Sequence, residues 1–453
     1  MEWSEEIGTD HFKDERLDRR FHQILEKLSK NIGCSIPDAC GNWADTKAAY
    51  RFVDSEKVAP ESIFSGHCQS TAHRMKASDG LLLCLQDTSE FVFDRKLDAA
   101  EDIGGQYHSK PYTKKAGGTL RSKCGLFLHT CFVITSEGLP LGIATAEIWK
   151  RDGKRPEYDR RTSIENKESF RWLRHLKQAS AITDPTRLIH IGDRESDMFE
   201  FFSAAAESNT RFLVRACRER VTDDGELISD LISKQATNFT YDADVTGADG
   251  KTRKAKFDVK HGSHTICPPK HQQKLYEPLE INFICVRELT DDPNPLHWML
   301  ATNEPVISRD EACEKIGWYL QRWQIEMLFK TVKSGCGAEK SKMRSFHNLS
   351  NVIAIYLLIG WRIQWLKTVA RIGAKDSALV TFSPIERKIL DKKYPKPSKH
   401  EENVSQAQKY LIKLARLGGY LARGTDNPPG FLVILRGLNK LDKIKEGAIL
   451  MGN

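Results

Sequence analysis

Residues 319–333 read Tyr319-Leu320-Gln321-Arg322-Trp323-Gln324-Ile325-Glu326-Met327-Leu328-Phe329-Lys330-Thr331-Val332-Lys333. Tyr319, Arg322, Glu326, Lys330 and Lys333 recur at steps of 3, 4, 4 and 3, the spacing of one face of an α-helix. Leu320, Ile325, Leu328, Phe329 and Val332 fall on the other side and are expected to bury. By itself a charged stripe is most often a solvated face. Here it sets one acid among a phenol and three cations, the mixture a phosphodiester-cutting site needs: a carboxylate for a metal ion, cations and a hydroxyl for phosphates.

Working outward, two further acids follow apolar runs. Leu81-Leu82-Leu83-Cys84-Leu85 reads as a buried strand, and Asp87, in Gln86-Asp87-Thr88-Ser89, is expected to end it. Leu188-Ile189-His190-Ile191-Gly192 is a second such strand, and Asp193 follows in the run Gly192-Asp193-Arg194-Glu195-Ser196-Asp197. Carboxylates at strand ends face the open edge of a sheet, where ligands collect. With Glu326 they suit two divalent cations at one phosphoryl-transfer centre, since hard cations take oxygen ligands. The expected assignment gives Asp87 the bridging role, Asp193 one ion and Glu326 the other. Two Mg²⁺ are expected, with Mn²⁺ as a substitute. His129 and His190 lie on apolar strands and are read as satisfied core histidines rather than metal ligands.

The chain has 453 residues, enough for two or three domains. Hydrophobic residues make up 40%, which allows real cores. No uninterrupted run of about 18 apolar residues stands out, so no membrane span is expected. The acidic start, Met1-Glu2-Trp3-Ser4-Glu5-Glu6, lacks the basic and apolar regions of a signal peptide, and the expected location is the cytoplasm, at the bacterial nucleoid. Eleven cysteines without a C-x-x-C pair argue against a disulfide framework and a zinc site. The net charge of +8 is mild. It is concentrated in two stretches, Lys110, Lys114, Lys115, Arg121 and Lys123, then Lys251, Arg253, Lys254, Lys256 and Lys260, each either a solvated loop or an attractor of phosphate.

The organisation reads as follows. Residues 1–70 are helical, with Asp45 expected to cap a helix that exposes Lys47 and Arg51. Residues 71–375 carry strands and helices in α/β alternation, with a hairpin turn at Ser136-Glu137-Gly138 and a β-rich insertion at about 216–300 marked by period-two alternation. Val352 to Val369 is a strongly apolar helix. Residues 376–453 open on a proline-containing linker and end in helices.

Asp87-Thr88-Ser89, Asp193 and the pattern Tyr319-x2-Arg322-x3-Glu326-x6-Lys333 resemble the DDE transposases of the insertion-sequence-four family, and within it the transposon-five type, over essentially the whole chain. The stretch Gly41 to Phe52 resembles that type's end-binding domain, and Leu414 to Gly419 its dimer-forming tail. The resemblance implies an RNase H-like catalytic core between a helical DNA-binding domain and a helical dimerisation domain. It implies a metal-dependent polynucleotidyl transferase and endonuclease that binds inverted transposon ends as a homodimer. Cut-and-paste transposition would proceed through a hairpin intermediate to joining with target DNA. It also implies that Tyr319, Arg322 and Lys333 contact phosphate, that Trp298 stacks on a flipped base with Trp323 close by, and that Lys330 and Arg215 add phosphate contacts. Two other readings stay open: a catalytically silent end-binding protein that blocks or bridges DNA ends, and a plain metal-dependent nuclease.

Overall fold

The computed structural model describes residues 3–8, 11–104, 121–151, 162–246, 252–372, 382–426 and 429–450. The apolar run at 82–85 opens strand β1 (Leu82–Lys96), which lies inside a mixed sheet. β1 pairs antiparallel with β2 (Arg121–Thr135) along its whole length, and β2 pairs with β3 (Pro140–Lys150). On its other side β1 pairs parallel with β4 (Leu188–Gly192), only over Leu82 to Leu85. β4 pairs parallel with β5 (Arg211–Arg215). β4 is buried at every position, as expected of a parallel strand covered on both faces.

This corrects the reading of Asp87 as the end of its strand. β1 runs nine residues further, because β2 keeps supplying hydrogen-bond partners out to Lys96↔Arg121. What ends is the other neighbour. β4 stops at Gly192, so the β4 side of β1 opens at Asp87.

Helices cover both faces. α1 (Trp3–Ile7), α2 (Glu15–Lys30), α3 (Ile36–Cys40), α4 (Trp43–Val53) and α5 (Pro60–Ala77) precede the sheet, and α6 (Leu97–Gly104) follows β1. α7 (Phe170–Ser180) precedes β4, and α8 (Phe199–Glu207) lies between β4 and β5. Successive β1 side chains point to opposite faces. Leu83 and Leu85 join the largest core, whereas Leu82 and Cys84 join Met75 of α5 and Ala179 of α7. Asn42 caps α4, accepting from the Asp45 amide at 2.9 Å. Asp45 is therefore not the cap; its carboxylate binds Asn42 Nδ2 at 2.6 Å and Lys27 at 3.0 Å.

α9 (Ile228–Lys234) leads into four antiparallel strands, β6 (Phe239–Thr246), β7 (Thr252–Ile266), β8 (Leu279–Glu288) and β9 (His297–Thr302). β9 pairs with β5, so the nine strands among the described residues form one sheet in the order β3-β2-β1-β4-β5-β9-β8-β7-β6. Four residues of the second basic stretch find acids or carbonyls nearby here. Lys254 and Lys256 face Asp244 and Asp242 across the β6–β7 register. Arg253 pairs with Glu288, and Lys260 donates to the Ile232 and Ser233 carbonyls at the end of α9, where a cation offsets the helix dipole. Of the first stretch, Lys110, Lys114 and Lys115 lie outside the described residues, as does Lys251, and Arg121 binds Asp94 at 2.7 Å.

Beyond the sheet come α10 (Arg309–Gln321), α11 (Trp323–Lys330) and α12 (Phe346–Ile372). Residues 346–368 of α12 are long and apolar enough to cross a membrane by length and composition, although the sequence showed no such run; 94% of the most apolar window is buried inside the protein. α12 is a core helix, and its buried Asn351 donates to the Val53 and Val58 carbonyls at 3.0 and 3.1 Å, fastening the N-terminal helices to it. α13 (Pro384–Lys393), α14 (Gln406–Leu417) and α15 (Phe431–Leu450) follow among the described residues. All eleven cysteines are free.

Candidate active site

The stretch 319–333 is not one straight helix. α10 ends at Gln321, α11 starts at Trp323, and residues 331–335 form a π-helical turn. At the first break Arg322 N–H bonds the Tyr319 carbonyl and Ile325 N–H the Arg322 carbonyl, a tightened turn. At the second, Cys336 N–H bonds the Thr331 carbonyl, one residue wider than an α-helix. Each departure rotates the following side chains. Tyr319 and Leu320, in the last turn of α10 ahead of both breaks, are 6% and 46% exposed, the reverse of the strict helical expectation.

The breaks aim Arg322 and Glu326 at β1. Arg322 Nη1 donates to Asp87 Oδ2 at 3.2 Å, and its Nη2 binds Glu326 Oε1. The β1–β4 register, Leu85↔Ile191, continued by two places sets Asp193 level with Asp87, with neighbouring strands about 5 Å apart. Asp193 caps a short turn, accepting from Glu195 N–H at 2.9 Å. Asp87 accepts from Thr88 N–H at 2.7 Å. Burial, then the nearby Asp193 charge, pushes Asp87 up to about 7, with Glu326 adding to the push, even though Arg322 opposes it. Burial raises Tyr319, whose ring lies beside Trp298, centroids 6.1 Å apart, with the Arg322 guanidinium 5.8 Å from it. Burial also lowers Arg215, whose charge interacts with Arg322, Tyr319 and Asp193; its Nη2 donates to the His297 carbonyl at 3.1 Å.

Asp87, Asp193, Glu326, Arg322, Tyr319, Trp298 and Arg215 thus surround one place at the open end of β4. Lys333 lies further along β1, its ammonium 5.4 Å from the Phe91 ring. Lys330 is exposed. Trp323, 62% exposed, lines a different cavity of about 550 Å³ with Gly138, Leu320 and Met327, which none of the three acids lines. Lys47 and Arg51 are exposed on α4, remote in sequence from the acids. Their helix face also presents Trp43, 77% exposed, and Tyr50. These two aromatics did not stand out in the sequence, although their offsets of four and seven residues from Trp43 to Lys47 and Tyr50 carry the signal.

His129 and His190 are the core histidines expected. His190, pushed down to about 3 by burial, stands between Gln86 and Ser180. His129 is held well below its ordinary value, by burial first, and binds Thr88 Oγ1 at 2.9 Å.

The donor set fits a hard divalent cation: three carboxylates, no sulfur or imidazole, and an acid raised by its own neighbours. Among the described residues no three acid, histidine or cysteine side chains gather tightly enough to enclose one ion, and it is Arg322 that lies between Asp87 and Glu326.

Residues 1–58 match the family model described as Transposase DNA-binding, and residues 233–359 match the one described as Transposase DDE domain. The second stretch holds Trp298, Tyr319, Arg322, Glu326 and Lys333 and begins after both aspartates, which the sheet brings to it. The two matches support a DDE transposase, with DNA as its partner, and DDE domains imply an RNase H-like fold and divalent metal ions.

Proposed function

We propose that this chain is a cut-and-paste transposase of the insertion-sequence-four family, transposon-five type, acting on inverted ends as a homodimer in the cytoplasm. The observation that carries the reading is the approach of Asp193 and Glu326, from two other elements, to Asp87, with Arg322 bridging Asp87 and Glu326. Asp87, Asp193 and Glu326 would hold two Mg²⁺ or Mn²⁺. Bound there, such ions polarise the attacking oxygen and offset charge on the leaving one.

The chain's own groups supply the rest. Arg322 serves as the resident cation of the acids before DNA arrives. A scissile phosphate offers its guanidinium the same bidentate geometry as a carboxylate pair, so Arg322 can pass from acids to phosphate and free both acids for metal. Tyr319 and Arg215 border the same place, and Lys333 and Lys330 extend positive charge along the DNA path. Trp298, beside Tyr319, offers a ring for an extruded base in the hairpin step, which the freed 3′-hydroxyl makes by attacking the opposite strand. Trp323 stands on the neighbouring face. Lys47 and Arg51 of α4 engage the end sequence.

The test is a cleavage assay on duplexes carrying the inverted ends, with Mg²⁺ or Mn²⁺, resolved on a denaturing gel. Nicks followed by hairpins are expected. Glu326→Gln should abolish cleavage, by a factor on the order of 10³ or more, and leave end binding within about threefold. Specific end binding by wild type without any cleavage would establish the catalytically silent reading instead.

A further inference from the structure

Arg171 lies on α7, on the face of the sheet opposite Arg322, and is buried. Its Nε donates to Thr88 Oγ1 at 3.0 Å and its Nη2 to Glu195 Oε2 at 2.8 Å. Nη1 donates to the Glu168 carbonyl at 2.7 Å, and the guanidinium stacks 4.9 Å from the Trp149 ring. All three nitrogens are engaged, so the group has one orientation. The two side chains it grips belong to the two residues whose amides hold the aspartates: Thr88 N–H binds Asp87, and Glu195 N–H binds Asp193.

The grip on Thr88 extends inward. Arginine only donates, so Thr88 Oγ1 accepts from it; and because His129 Nε2 faces the acceptor Gln86 Oε1, His129 Nδ1 is left to accept the threonine proton at 2.9 Å. His129 Nε2 then carries the ring proton and donates to Gln86 Oε1 at 3.3 Å. Gln86 Nε2 donates to His190 Nδ1 at 3.1 Å, and His190 Nε2 donates to Ser180 Oγ at 3.1 Å. With the Gln86 amide so oriented, one chain of six side chains has a single direction, and Arg171 forms its outer end.

We propose that Arg171 is a positioning residue that fixes the spacing of the Asp87 strand and the Asp193 loop, and thereby the affinity of the site for divalent cations. The inference rests on the reading of these two acids as metal ligands. Neither Thr88 nor Glu195 touches the ion in this scheme; they transmit the clamp through their amides. Outer partners of this kind change metal affinity without contacting the metal.

The experiment uses full-length protein bound to a duplex end. Mn²⁺ binding is followed by electron paramagnetic resonance, alongside the Mn²⁺ dependence of cleavage, end affinity and thermal melting. Arg171→Ala should raise the half-saturating Mn²⁺ concentration about 10–100-fold in both metal readouts, with end affinity and melting temperature little changed. Arg171→Lys, which reaches one partner but not both, should recover part of the loss. Should Arg171→Ala fail to fold, Glu195→Gln removes only the charge of the outer, exposed arm and should weaken Mn²⁺ binding about 3–10-fold. Unchanged Mn²⁺ binding in Arg171→Ala, or in Glu195→Gln where only that variant folds, overturns the inference. So does a loss of end binding and melting temperature as large as the loss of metal. Wild-type protein that neither cuts nor binds Mn²⁺ sinks the underlying reading, and the inference falls with it.

Discussion

At Asp87 the fold holds a carboxyl where ionisation is opposed. Its ordinary value of 3.8 is pushed up to about 7, by burial first and by Asp193 next. The folded chain therefore binds this proton more tightly than the unfolded chain. The resulting stability is full below about pH 4 and is lost as pH rises to about 7, up to about 4 kcal/mol. In metal-free buffer, Asp87→Asn is expected to melt at a higher temperature than wild type at pH 8, with the difference gone by pH 4. Equal melting at both pH values would contradict the strain. Adding Mn²⁺ should raise wild type and leave the variant nearly unmoved. Much of this site was legible residue by residue: Asp193 follows its strand as expected, and Glu326 and Arg322 share a helix face. Arg171 was not legible. Its partners lie 83 and 24 residues away, so no local period marks it.

Elements explain where sequence periodicity ran out. A 3.6-residue period presumes an unbroken helix, and the tightened turn at Arg322 and the wide turn at 331–335 each shift the phase. Tyr319 and Leu320 precede both turns, so their burial follows the packing of α10, where Tyr319 lies beside Trp298, and not the phase of the residues after Arg322. The strands at 239–246 and 252–266 were legible from their alternation, but charge read along one strand is blind to the strand beside it. Lys254 and Lys256 looked like phosphate attractors until register set Asp244 and Asp242 opposite them. α4 keeps its promise better. Trp43, Lys47, Tyr50 and Arg51 form an exposed aromatic and basic face. Lys47→Ala in the full chain should weaken end binding and reduce the salt slope of log affinity by about 1, measured by fluorescence anisotropy across a salt series. An unaltered slope places Lys47 away from the DNA backbone.

Across the whole molecule the N-terminal helices are tied to the sheet by buried polar contacts. Ile143 N–H donates to His67 Nε2 at 2.9 Å, so the ring proton sits on Nδ1, facing Glu6 Oε1 at 2.5 Å. Arg74 binds both Glu6 oxygens at 2.9 Å. Burial holds His67 below its ordinary 6.5. Burial also pushes Glu6 up, but His67 and Arg74 together bring it below its ordinary 4.5. Both groups stabilise the fold above their ordinary values, and that stability is lost as pH falls, through His67 first and Glu6 next. Hydrogen exchange in α1 and α5 should accelerate below about pH 6, once corrected for intrinsic rates, and His67→Gln should blunt the first step. A pH-independent protection pattern would show that the tie bears no load. Such long-range ties, between residues 61 to 76 positions apart here and 298 and 293 apart for Asn351 to Val53 and Val58, leave no trace in local pattern. The dependence of α4 on α12 also has a temporal side. Val53 and Val58 are made long before Asn351 of α12, the residue that ties them. In a growing chain those ties close only once residue 351 has been made, and a product terminated earlier carries the N-terminal helices without them.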